Sequence, residues 1–280
     1  RAQPGNLFYS PFSISEALML AMNGAGGQTR TDMANSLGVG GMTQNQINTA
    51  NSLLLPSLTN PDQQVQISIA NAIWAQQGLP LSPQFIASSK KSYNAEANTL
   101  DFHSPALAAS TINQWVSRNT LGKIPTLVGP NDLAGASAVL TNAVYFHGKW
   151  QAPFSKGDTR NGPFFVNKSG PKTVSLMSQE GRFPYLDTGK LQAISLPYGA
   201  GRMSLYVVLP KQGTDINSFT QTLSQRGVSK WIGAMRPAQV KITLPRFKAV
   251  YAADIKAPLA ALGMGAAFAP AADFSPMGLK

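Results

Sequence analysis

The run Ala138-Val139-Leu140-Thr141-Asn142-Ala143-Val144-Tyr145-Phe146-His147-Gly148-Lys149-Trp150 decides how the rest of the chain is read. Residues 138–146 are too continuously apolar for a surface strand and fit a strand covered on both faces, which predicts a central place in a sheet. Upstream, Ala108, Ile112, Trp115 and Val116 share one helical face. They predict a helix over 106–119, ended by Gly122 and Pro125, with Trp115 turned to a sheet. Val65, Ile67 and Ile69 alternate before Ala72, Ile73 and Trp74, which is a strand pattern.

Further out, Ser10 and Pro11 read as the cap and first position of a helix, with Ser13 and Glu16 as an alternative capping box. Ile14, Ala17, Leu18, Ala21 and Met22 follow at helical spacing until Gly24, Gly26 and Gly27 break the run. Short helices are predicted from Thr29 to a stop at Gly38 and over 44–55. Downstream of Arg182 the pattern is mostly β, in 183–185, 191–196, 203–209 and 240–247. Helices near 216–225 and 255–262 interrupt it. Helices first and strands later, without regular βαβ alternation or an internal repeat, indicate an α+β fold, in one large domain or two closely packed lobes over 1–280.

Composition narrows the function. The 280 residues, 43% of them hydrophobic, suffice for a large core, and no run of about 18 uncharged apolar residues is available to span a membrane. The absence of cysteine removes disulfides, thiol catalysis and thiolate metal sites. Residues 1–8 lack the apolar core of a signal peptide, so any export signal is removed or upstream.

Enzyme chemistry finds no footing. His103 and His147, the only histidines, sit in no metal or nucleophile motif. The glycine groups at 24–27 and 38–41 follow helices rather than strands and lack the third glycine of a dinucleotide fingerprint. Twelve acidic residues are scattered singly, so no pair stands out for acid–base work. No catalytic residue, metal or cofactor is expected.

The net charge of +11 suits a polyanion, but no Lys or Arg occurs between Arg30 and Lys90. Only Arg226, Lys230, Arg236, Lys241, Arg246 and Lys248 approach a cluster. A solvated basic face is the favoured reading of these six, with weak polyanion binding as an accessory property.

Several segments together resemble the serpin family. They begin with Asn6-Leu7-Phe8-Tyr9-Ser10-Pro11-Phe12-Ser13-Ile14 and continue through Ala70-Asn71-Ala72-Ile73-Trp74, Ile112-Asn113, Trp115-Val116 and Thr120-Leu121-Gly122-Lys123-Ile124. The similarity is strongest from Leu140 to Trp150, followed by Phe154 and Thr159. Leu196-Pro197-Tyr198, Leu244-Pro245-Arg246-Phe247-Lys248, Leu262-Gly263-Met264 and Asp273-Phe274-Ser275 complete it.

The resemblance implies a multi-sheet core surrounded by helices, and inhibition of a serine or cysteine protease by insertion of a cleaved reactive loop into the central sheet. About a dozen backbone hydrogen bonds gained at roughly 1 kcal/mol net each would drive that insertion. It assigns Asn6, Ser10, Pro11, Ser13, Asn113 and Asn142 to a shutter beneath the sheet, with Asn142 near Ser10 or Ser13. Trp150, Phe154 and Thr159 fall in the breach, where the loop enters. A serpin-fold carrier, chaperone or binding protein without inhibitory activity is the alternative.

The family pattern also continues past Asp273-Phe274-Ser275 and begins before Asn6. The resemblance therefore implies a partial domain that lacks the first helix, the last strands and the reactive loop, and leaves Leu205 to Leu209 uncovered. It suggests an extracellular or periplasmic setting. The absence of cysteine and the abundance of alanine lean towards a prokaryotic source.

Overall fold

A computed structural model describes residues 6–59, 61–166, 170–249, 251 and 253–279. Residues 1–5 of the opening segment lie outside the described residues. The chain divides into two compact units, each described by itself. No helix among the described residues is long and apolar enough to cross a membrane.

The first unit comprises residues 8–60, 66–146 and 251 onward. Its helices are α1 (Pro11–Asn23), α2 (Gly27–Ser36), α3 (Gln44–Leu58), α4 (Pro83–Tyr93) and α5 (Pro105–Asn119). Strands β1 (Val65–Gln76), β2 (Ala95–Leu100) and β3 (Ala138–Gly148) form a sheet in the order β2-β1-β3, with β1 and β2 parallel.

Local chemistry sets the helix ends. Ser10 Oγ accepts from Ser13 N at 3.1 Å and Pro11 occupies the first turn of α1, where a missing N–H costs nothing. Thr43 and Gln46 form a capping box on α3. α4 is capped by Ser82, carries Lys90 and Lys91 in its last turn against the helix dipole, and stops at Asn94 with φ +48°.

Two faces of the sheet are covered. Ala108, Ile112, Trp115 and Val116 of α5 pack on Ala72 and Trp74 of β1 and Ala143 of β3. The Trp74 and Trp115 rings meet edge to face at 5.9 Å. On the other face Leu20, Phe85 and Tyr93 pack on Ile73, with Leu140 and Met277 completing the cluster. Gly24 permits this closure, because a Cβ there would lie 2.7 Å from the Met277 Cβ and 2.9 Å from the Phe85 ring.

The apolar run in β3 predicts a central strand, and here the structure differs. β3 ends the order of its sheet, and among the described residues it pairs only with β1. An apolar run reports cover on two faces. It does not report how many hydrogen-bonding edges are filled, which is a separate property of the strand.

The second unit comprises residues 6–7, 61–65 and 147–249 among those described. It holds β4 (Arg160–Phe165), β5 (Pro171–Asp187), β6 (Leu191–Tyr198), β7 (Met203–Pro210) and β8 (Arg236–Pro245), with α6 (Ile216–Gln221) and α7 (Gln225–Ala234). The sheet runs β4-β5-β6-β7, β8 pairs with β5, and all these pairings are antiparallel. The single helix predicted near 216–225 is two, because Asp215 and Ser224 each cap a separate start. The C-terminal stretch adds a short helix α8 (Lys256–Leu259) to the first unit.

Candidate functional site

The cap at Ser10 fixes the first turn of α1, so Ser13 is held by its backbone N–H while its hydroxyl stays available. That hydroxyl donates to Asn142 Oδ1 on β3. The alternation of a strand explains the direction of Asn142: Thr141 and Ala143 point to α5, where Thr141 Oγ1 accepts from Trp74 Nε1 at 3.0 Å, so Asn142 points to α1. The Asn142 amide then donates to Asn71 Oδ1 at 2.8 Å, and the Asn71 amide donates to the carbonyl of Tyr93 at 2.7 Å. Three elements, α1, β3 and β1, are thereby joined to the end of α4 through side-chain hydrogen bonds, the last of them to a backbone carbonyl.

Chemically, this chain of groups can exchange partners. A hydroxyl and two carboxamides offer both donors and acceptors along this path. Asn71 was not among the residues assigned a role from sequence. Its signal was an amide inside the run Ile69-Ala70-Asn71-Ala72-Ile73, where a buried polar group requires partners.

The other expected members are placed elsewhere. Pro11 is exposed in the first turn of α1. Asn113 ties α5 to the following segment: its Oδ1 accepts from Leu127 N at 2.7 Å and Val128 N at 3.0 Å, and its amide donates to Val128 O at 2.8 Å. Asn6 is exposed.

In the second unit Trp150 stacks on Tyr198 with ring centroids 4.4 Å apart and meets Phe154 edge to face at 6.0 Å. The backbone on either side is pinned, since Gly199 N donates to Lys149 O and Gln151 N donates to Pro197 O. The rings sit on a cluster of Phe183, Leu196 and Ile242, and burial pushes the Tyr198 phenol up from its usual range. Thr159 is half-buried at the end of a short helical turn over 156–158.

The six basic residues are all exposed but do not form one face. Arg226 and Lys230 lie one turn apart on α7. On β8 the regular register puts Arg236 on the face opposite to Lys241, and Lys241 is directly across from Glu180. Arg236 also spends a guanidinium nitrogen on the carbonyls of Gly233 and Met235.

With this geometry in place, comparison with known proteins is informative. The family described as serpin (serine protease inhibitor) matches residues 1–280. Bovine leukocyte elastase inhibitor is 34% identical over 98% of this chain and 74% of its own length. Human serpin B9 is 34% identical over 94% of this chain and 71% of its own length. The solved structure of emu ovalbumin superposes with a TM-score of 0.92 at 27% identity, covering 97% of this chain and 75% of that one.

Proposed function

The chain belongs to the serpin family, and on that premise we propose that it forms the body of a serine protease inhibitor that, in the intact parent protein, takes a cleaved reactive loop as a new strand along the β3 edge left unpaired among the described residues. The observation that carries this reading is the coincidence of that edge with the Ser13–Asn142–Asn71 chain of hydrogen bonds. A strand edge presents unpaired N–H and C=O groups that an incoming extended segment satisfies. The side chains that bridge α1 to β3 are polar and short, so they can release and remake their bonds when β3 moves. Ser10, Pro11 and Ser13 with Asn142 act as the shutter in this reading. Trp150, Phe154 and Thr159 are assigned to the breach by the family resemblance, and the Trp150 stack on Tyr198 and its edge contact with Phe154 support a fixed place for that ring.

The covalent step uses the protease's own chemistry. Its catalytic serine oxygen attacks the scissile carbonyl of the loop, the amide nitrogen leaves as a new amine carrying the proton, and an acyl ester joins the two proteins. Insertion displaces the protease before water reaches the ester.

The test is incubation with elastase-like, chymotrypsin-like and trypsin-like proteases, using both these 280 residues and the longest form the gene encodes. A denaturant-resistant adduct with a one-to-one protease content is expected from the longest form. Quantitative cleavage of the protein with no adduct and no loss of protease activity would contradict the inhibitory reading.

A further inference from the structure

The hydrogen bonds around Ser13 and Asn142 close into a circuit. From Asn142 the path runs to Asn71 and on to the carbonyl of Tyr93 at the end of α4. The neighbouring carbonyl, Ser92 O, accepts from Asn51 Nδ2 of α3 at 2.9 Å, and the same nitrogen donates to Glu16 Oε2 at 3.1 Å. Glu16 sits one turn after Ser13 on α1, and Ser13 returns the path to Asn142. Five elements, α1, β3, β1, α4 and α3, are tied into one ring.

Glu16 is the one ionisable side chain bonded into this ring, and it is only 1% exposed. No cation faces it. The rest of α1, all of α3 and all of β1 carry no charged residue. Lys90 and Lys91 on α4, Glu96 on β2 and His147 on β3 are exposed. The phenol of Tyr93 donates instead to Asn48 Oδ1 at 2.9 Å.

We propose that Glu16 is a proton-dependent positioning residue of the Ser13–Asn142 gate. Its role at a gate rests on the inhibitory reading above; the circuit itself does not. When neutral, the carboxyl accepts from Asn51 and the ring is closed. When ionised, an unpaired charge lies between three helices, and the shortest relief is an outward shift of the first turns of α1 towards water. That shift carries Ser13 off Asn142 and frees β3.

Burial holds the Glu16 carboxyl above its usual range, with the Asn51 bond acting in the opposite direction. A carboxyl raised in the folded state binds more protons folded than unfolded. Its contribution to stability is therefore complete below the ordinary carboxylate range and is lost as pH rises through the raised value. The gate loosens with rising pH.

The test compares the wild-type chain with Glu16→Gln, whose side-chain oxygen still accepts from Asn51 but cannot ionise. Amide exchange is followed in β3 and, as an internal reference, in β6, from about pH 4 to about pH 8 with correction for intrinsic rates. In the wild type, β3 exchange should accelerate by roughly tenfold or more across this range while β6 stays constant. In Glu16→Gln, β3 should be flat. Equal acceleration in both proteins overturns the proposal, as does a variant that alters thermal stability but leaves the β3 profile of the wild type. Should the variant fail to fold, carbon-13 titration of the Glu16 carboxyl in the wild type decides: a raised value that coincides with the β3 transition supports the proposal, and an ordinary value overturns it. Absence of any protease adduct at every pH would sink the inhibitory reading while leaving the circuit in place.

Discussion

β3 and β7 each end the order of their sheet, and the two strands manage that position with different chemistry. β3 carries Thr141 and Asn142 at its middle, one bonded to Trp74 and the other to Ser13 and Asn71. β7 has Leu205-Tyr206-Val207-Val208-Leu209 at the same place, with Leu209 60% exposed. The first edge is flanked by side chains that carry both donors and acceptors. The second is mostly apolar, with Tyr206 its one hydrogen-bonding side chain in that run, which is the pattern of a surface prone to association. In the proposed reading, the polar side chains beside β3 are what distinguish it from β7 as the strand-receiving edge.

The largest expected effect breaks the polar side of this contrast. Asn142→Leu leaves the Ser13 hydroxyl and the Asn71 carbonyl oxygen without their partner in a buried setting, and should cost about 2–4 kcal/mol in denaturant unfolding. A double-mutant cycle of Ser13→Ala with Asn142→Ala should return a coupling of about 1 kcal/mol; additive effects would mean the bond is not formed in solution.

Trp115→Phe sharpens the same region. The Trp115 indole N–H is buried without a hydrogen-bond partner, while its ring packs against Trp74. Loss of ring area is offset by removal of an unpaired donor, so stability should change by less than about 1 kcal/mol. A loss of several kcal/mol in thermal unfolding would show that the N–H has a partner in solution.

The smallest effect belongs to β7. Leu209→Lys should alter unfolding stability by no more than about 0.5 kcal/mol while reducing self-association measured by light scattering. A large destabilisation would mean that the Leu209 face is packed and that the two edges are less different than the structure shows.

Much of this arrangement was legible in the residues. The cap at Ser10 and Pro11, the α5 face of Ala108, Ile112 and Trp115, and the strand around Asn142 are strong local patterns, and each forms as read. α4 was not legible, because its buried face mixes Phe85 and Tyr93 with Ser89 and Ser92, and the serines hide the periodicity. The pairing of β3 with β1 was not legible, because a strand's neighbours are chosen by tertiary assembly rather than by its own sequence. The Glu16–Asn51 link was invisible for the same reason: 35 residues separate the pair, and only the packing of α1 on α3 makes it.

The most direct measurement is amide exchange along 138–146 in the longest form of the protein, before and after reaction with a protease that yields an adduct. Strand insertion beside β3 should slow exchange there by roughly tenfold or more while leaving 203–210 as it was. An adduct in which β3 exchanges as fast as in the free protein would contradict the assignment of this edge as the receiving site.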